Sequence, residues 1–411
     1  MLVHWIWFSM RQNVSDRMKV ELLRHFRDPE EIFYAGKEAF RNVEGLTEEG
    51  FASLQDKNLK SAEEVLRRCE RESLNILTYQ DAAYPARLKN ISDPPVVLYY
   101  KGRLPDFDGS PLIGIVGTRQ ASLYGLTAAK RMGYQIAKCG GIVVSGMARG
   151  IDSAAMSGAL TAGGTVVGIL GCGADMIYPP SNKNLFADTE RYGCILSEFV
   201  PGTPPIGWNF PKRNRIISGL SCGVLVVEAP EKSGALITAN QALEQGRDVF
   251  VVPGNIDVPT CVGSNRLLRE GAIAVGTGWD ILSEYEAIYP DKICRENGKV
   301  DLRAYPDEVR FQAKVAQKAE TPKKNTVGKP KNDKKVIDNE PQPPYSDVNK
   351  PHEDLTPEQQ SVLAVLGSGA RLVDDVIAEV GLPTAKVLSM LTILEIKGIV
   401  KRLPGKRIAM K

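Results

Sequence analysis

Between residues 112 and 275 the chain alternates two patterns. Short, nearly unbroken apolar runs stand at 112–116, 142–145, 165–170, 194–196, 224–227, 249–252 and 272–275. Amphipathic stretches fill the gaps, such as 126–138, with Ala128, Met132 and Ile136 on one face, and 236–245. A strand that is apolar at every position buries both of its faces, as a parallel sheet covered by helices on either side requires. The pattern predicts an α/β fold: a Rossmann-like, doubly wound, mainly parallel sheet with a further strand at 96–100 leading into it. Such sheets hold ligands outside the carboxyl ends of their strands. Most of the unusual loops here follow a strand, so they are expected to converge on one rim.

The flanking regions read differently. Residues 1–78 form a small helical domain, with an apolar stripe at Met18, Leu22 and Phe26, a helix opened by Thr47, and another opened by Ser61 with Glu64 at capping-box spacing. Its Val43-Glu44-Gly45-Leu46 segment resembles the hairpin of small helical DNA-binding modules but lacks their second glycine, which favours a packing or protein-contact role. Trp5, Trp7 and Phe8 are expected in a core or an interface. The central domain spans 79–290. Residues 291–354, rich in lysine between Lys314 and Lys335 and in proline near 341–344, predict a flexible linker. From 355 to 411, helices at 357–366, 372–380 and 384–397 precede two short strands around Pro404-Gly405, the outline of a winged helix. Lys386, Lys397, Lys401, Arg402, Lys406 and Arg407 make its second half basic, and both duplex DNA and protein suit such a module.

A net charge of only +3 over 411 residues confines any polyanion site to a local feature. Seven scattered cysteines with no CxxC pair argue against a disulfide framework or a zinc site, and for a reducing cytoplasm. The apolar opening 1–10 has no basic leader before it and so is not read as a signal peptide, and no run of about twenty apolar residues predicts a membrane-spanning helix. The histidines are His4, His25 and His352, none of them central, which excludes histidine acid–base catalysis in that domain. No catalytic set, metal site or cofactor is predicted.

The loops carry the chemistry. Gly117-Thr118-Arg119-Gln120-Ala121-Ser122 follows the 112–116 strand, where small residues let backbone amides approach an anion, Arg119 supplies a planar fork and Ser122 a hydroxyl. Gly146 and Gly150 flank Arg149 in a second loop of the same kind, with Asp152 or Ser153 as the expected helix cap. A third glycine turn, 171–175, runs on to Lys183, and a fourth loop lies at 233–238. Phe210-Pro211-Lys212-Arg213-Asn214-Arg215 concentrates three cations and an amide beside a ring. A basic stretch of that length taken alone is usually a solvated surface run; its company of loops points to phosphate. The GxGxxG spacing fails at Gly114 and no Gly-Lys pair continues into the Ser/Thr of a P-loop, so neither NAD binding nor ATP hydrolysis is indicated.

Together the segments 117–125, 145–152, 178–185, 196–199, 210–220, 226–238 and 246–254 resemble, in order and spacing, those of the DprA/Smf family. The resemblance implies a sequence-tolerant single-stranded DNA-binding protein of bacterial natural transformation. Such proteins form homodimers, protect incoming strands and load RecA recombinase, displacing or bypassing single-strand-binding protein. Carried onto this chain, the DNA pocket would use Gly117, Arg119, Ser122, Gly146, Arg149, Arg213, Asn214 and Arg215, with Phe210 for stacking. Two departures stand out: Pro180 occupies a position often basic in relatives, leaving Lys183 as a substitute, and Met156 replaces a usual histidine. A nucleotide-binding or nucleotide-hydrolysing enzyme is the alternative, for which Glu198 and Glu228 are the strand-end carboxylates on offer.

Overall fold

The computed structural model describes residues 1–294 and, with gaps, 357–410. The chain divides into two units, 1–323 and 324–411. In the first, five helices, α1 (Leu2–Ser9), α2 (Asp16–His25), α3 (Pro29–Tyr34), α4 (Glu48–Gln55) and α5 (Lys60–Arg71), precede the sheet. Trp5, Trp7 and Phe8 lie in their core, packed with residues of the sheet's edge such as Val97 and Tyr99. Thr47 caps α4 as expected, its hydroxyl accepting from the Gly50 amide. Ser61 does not cap α5, which begins at Lys60 without a side-chain cap.

The sheet is nine-stranded, in the order β1-β2-β6-β5-β4-β3-β7-β8-β9. Its strands are β1 (Asn75–Thr78), β2 (Val97–Gly102), β3 (Leu112–Val116), β4 (Ile142–Ser145), β5 (Val166–Ile169), β6 (Cys194–Ser197), β7 (Gly223–Val226), β8 (Asp248–Val251) and β9 (Ile273–Ala274). From β6 to β9 every neighbouring pair is parallel, whereas β2 and β1 are added antiparallel at one edge. β1 falls inside the expected helical domain yet pairs along its whole length with β2. Helices α6 (Ala86–Lys89), α7 (Leu123–Lys138), α8 (Ile151–Thr161), α9 (Lys183–Tyr192), α10 (Asn209–Leu220), α11 (Gly234–Glu244) and α12 (Val262–Arg269) lie between the strands, and α13 (Gly278–Leu282) follows the last. Two apolar cores result, one on each face: Ile113, Ile115, Val143 and Phe250 look one way, and Leu112, Val144, Val224 and Val251 the other.

In the second unit, helices Pro357–Leu366 and Val373–Val380, helical residues around Val387, Met390 and Leu394, and a three-stranded sheet of β10 (Arg371–Leu372), β12 (Arg407–Met410) and β11 (Val400–Leu403) enclose a small core. This is the winged helix the sequence predicts. Lys401 and Arg407 are exposed on its hairpin. The linker expected over 291–354 lies, from residue 295 on, outside the described residues, as do the side chains of Lys397, Arg402 and Lys406.

Candidate nucleic-acid interface

The chain winds outward from β3 through β4 and β5 to β6, then returns to place β7 on the other side of β3. Where the winding reverses, the connections after β3 and β7 leave toward opposite faces and a crevice opens at the carboxyl ends. A cleft of about 680 Å³ fills it, lined by Gly117 to Gln120 after β3, by Pro230, Lys232 and Ser233 after β7, and by Phe210, Arg213 and Asn214 of α10. A second cleft of about 350 Å³ lies between the loops after β4 and β5, bounded by Gly146, Arg149, Gly171 and Tyr178. Arg119, Gln120, Ala148, Tyr178 and Phe210 line both.

Phe210 is the hub. Its ring lies 5.7 Å from that of Tyr178, and the guanidinium carbons of Arg119 and Arg213 sit over it at 5.0 and 6.0 Å from its centroid. Arg119 and Arg149 are exposed, and neither has an ion-pair partner among the described residues. Arg213 differs. It is 4 % exposed, its Nη1 donates to the carbonyls of Ile169 and Gly146 (the latter at 2.8 Å), and its Nε donates to the Asn214 amide oxygen at 3.1 Å. Burial pushes its guanidinium down to about 10, against the pull of Asp152, so it remains cationic at neutral pH. Gly146 is required beneath it: a Cβ there would stand 2.5 Å from the guanidinium.

The loop amides are arranged differently from the expectation. Asp152 does not cap α8; Gly150, at φ +80°, is the N-cap, and the buried Asp152 carboxylate accepts from the amides of Gly146 and Ala148 at 3.1 and 3.3 Å. The second loop's nest is therefore filled by the chain's own carboxylate. Ser122 caps α7 and is turned inward, its amide donating to Glu228 Oε2 at 2.9 Å and its hydroxyl to Glu228 Oε1. Gly117 is enclosed by Ile151 and the Glu228 carbonyl. Lys183 opens α9, exposed, and borders neither cleft. Ser122 and Gly146 shape the rim rather than present donors to it.

Arg215 overturns its assignment as a DNA contact. It is 3 % exposed and wholly engaged by carboxylates, with Nε to Asp93 at 2.9 Å, Nη1 and Nη2 to Glu198 at 3.2 and 2.8 Å, and Nη2 to Asp16 at 3.0 Å. The cause is helical. An α-helix turns about 100° per residue, so Arg213 and Arg215 point roughly 200° apart, while Phe210, Arg213 and Asn214 share a face. In an extended segment residues two apart would have shared one.

Sequence reasoning passed over Lys232, exposed and without an ion-pair partner among the described residues, and Tyr178. The signal for Lys232 was its place just after β7, next to the strand order's reversal. Glu198 and Glu228, the carboxylates an enzyme would need, are occupied by Arg215 and Lys212 and by Ser122 respectively. Among the described residues no group of His, Cys, Asp and Glu is placed to hold a metal ion, and no helix is long and apolar enough to cross a membrane.

Fold and rim define a doubly wound sheet protein with a cationic, aromatic-centred cleft at its switch point and a winged helix in a separate unit. The family model described as DNA recombination-mediator protein A matches residues 75–286, and that of the DprA winged helix domain matches 346–406. The chain is 34 % identical over 414 residues to Protein Smf of Synechocystis sp., covering 98 % of this chain and 97 % of that protein. It is 42 % identical over 220 residues to DNA processing protein DprA of Bacillus subtilis, covering 54 % of this chain and 74 % of that one. The X-ray structure of DNA processing protein A from Streptococcus pneumoniae superimposes with a TM-score of 0.61 at 31 % identity, over 69 % of this chain and 98 % of that structure. The chain belongs to the DNA recombination-mediator protein A (DprA/Smf) family, as its motifs predict.

Proposed function

We propose that this chain binds single-stranded DNA, with little regard to base sequence, along the two clefts at the switch point, and delivers it to RecA recombinase in natural transformation. One observation carries the binding: Arg119, Arg149 and Lys232, exposed and free of ion pairs among the described residues, surround clefts centred on the Phe210 ring. Planar forks grip phosphate oxygens, which are alike in every nucleotide, and a ring accepts the face of any base, provided that base is unpaired. Family membership supports the recombinase-loading step, the displacement or bypass of single-strand-binding protein, and a homodimeric assembly. The engaged state of Glu198 and Glu228 supports a binding protein over a nucleotide hydrolase.

Trp208 provides the test. It is 79 % exposed at the start of α10, two residues before Phe210, whereas Trp5 and Trp7 are buried in the N-terminal core and Trp279 is half-buried against the sheet's core. Titrating the full chain with an oligothymidine should quench its intrinsic fluorescence in step with the anisotropy of a labelled strand. Duplex of equal length should compete poorly, and log affinity should fall with log salt by roughly 0.7 per phosphate neutralised. Anisotropy that rises while fluorescence stays flat would put the strand elsewhere.

A further inference from the structure

The inference here rests on the clefts being the DNA site and concerns what sets their shape. Helix α10 has two working faces. One carries Phe210, Arg213 and Asn214 into the larger cleft. The other carries Lys212 and Arg215, three apart, to the N-terminal helices. Arg215 meets Asp16 of α2 and Glu198 just beyond β6, and Lys212 reaches the same two carboxylates at 3.3 and 3.1 Å. Lys19 of α2 closes the cluster, 3.2 Å from Asp16, and Asp93 joins from the segment before β2. Three cations thus balance three anions. Arg215, Glu198, Lys19 and Asp16 are almost entirely withdrawn from water, their side chains 4, 4, 7 and 13 % exposed.

A cluster of this kind is a poor source of stability. Desolvating the four withdrawn charges offsets most of the attraction, and apolar side chains of similar volume would pack at least as favourably. What charges add is directional: a guanidinium held by three carboxylates tolerates one rotation of its helix and no other. Because Arg213 lies about 200° from Arg215 on the same rigid turn, fixing one fixes the other. A second tie has the same sense, since Arg68 of α5 grips Asp175, in the loop that leads to Tyr178, at 2.7 Å.

We propose that the N-terminal helical domain is a positioning element for the DNA cleft, with Asp16 acting through Arg215 and Lys212 to set the rotation of α10 and hence the presentation of Phe210 and Arg213. None of these residues needs to touch the strand. The salt dependence of binding distinguishes such a role from direct contact, because a residue that only positions removes no phosphate contact.

The experiment compares the full-length parent, Asp16→Asn, Asp16→Glu and Arg119→Ala by anisotropy with a labelled oligothymidine over a salt series, with urea unfolding midpoints as the check on folding. Asp16→Asn should bind about threefold to tenfold more weakly with the parent's salt slope, and Asp16→Glu should restore most of the affinity. Should Asp16→Asn not fold, Asp93→Asn, which removes one exposed partner of Arg215, should shift affinity the same way by less. Folded Asp16→Asn with parental affinity, beside a weakened Arg119→Ala, overturns the proposal. So does a slope reduced as in Arg119→Ala, which would make this cluster a direct contact. If Arg119→Ala itself binds as the parent does, the cleft reading fails first and the positioning role falls with it.

Discussion

Arg119→Ala is expected to weaken single-stranded DNA binding about tenfold to a hundredfold, equivalent to about 1.5–3 kcal/mol for one charge-assisted contact. The basis is its position: exposed, without a carboxylate partner among the described residues, and laid over the Phe210 ring at 5.0 Å. The guanidinium touches the fold through that exposed ring contact, which is worth about 0.5–1 kcal/mol, so the unfolding midpoint should move little. The salt slope should become shallower by roughly 0.7, one phosphate's share. Arg119→Lys separates charge from shape. An ammonium restores the slope, but it cannot match the flat fork that both stacks on a ring and donates in pairs. Its affinity should fall between the parent and alanine. Unchanged affinity and slope in Arg119→Ala, measured by anisotropy across a salt series, would remove the first loop from the site.

The sheet was legible because burial on both faces leaves strands no room for polar residues. Each of the apolar runs from 112–116 to 272–275 corresponds to a strand, with no end shifted by more than one residue. β1 escaped because four residues, Asn75 to Thr78, carry too little pattern to stand out after a helix. Helix α10 escaped for a more instructive reason. Its inward positions include Arg213 and Arg215, where periodicity looks for apolar side chains, and Pro211 near its start reads as a break. Without the helix, two arginines two apart looked like one patch, and only the helical turn sends one to the cleft and the other to Asp16, Asp93 and Glu198. The loops were recognised by their glycines, yet sequence could not tell that Asp152 and Glu228 return to the amides those glycines expose. Composition reveals which groups could meet an anion. Whether a carboxylate of the same chain has already met them is a question of tertiary distance.

The larger effect on folding belongs to Arg213. Arg213→Ala removes a buried cation, strips the Gly146 and Ile169 carbonyls of their donor and takes away the positive charge that offsets the burial of Asp152, a change expected to destabilise the fold by about 3–5 kcal/mol and to abolish measurable DNA binding. Burial already pushes Asp152 above the ordinary carboxylate range, with Arg213 the first of the influences that oppose it; without Arg213 it rises further. An aspartate in the unfolded chain ionises near about 4. Below that value both states hold the proton and the variant keeps all the stability left to it. As pH rises, the unfolded chain releases its proton while the folded chain still retains one, so stability declines until the folded carboxyl also ionises. Urea midpoints should therefore be lower at pH 8 than at pH 5 for Arg213→Ala, by a wider margin than for the parent. The double variant Arg213→Met, Asp152→Asn keeps an oxygen acceptor for the amides of Gly146 and Ala148 and buries no charge. It should recover part of the lost stability, the carbonyls of Ile169 and Gly146 still lacking a donor, and flatten the extra pH dependence. Because the two buried charges influence each other, the two losses will not add, and because the cleft has lost a cation, DNA affinity should remain low in the refolded double variant. Arg213→Ala with a stability loss equal at both pH values would show that Asp152 is not the group left exposed to the missing charge.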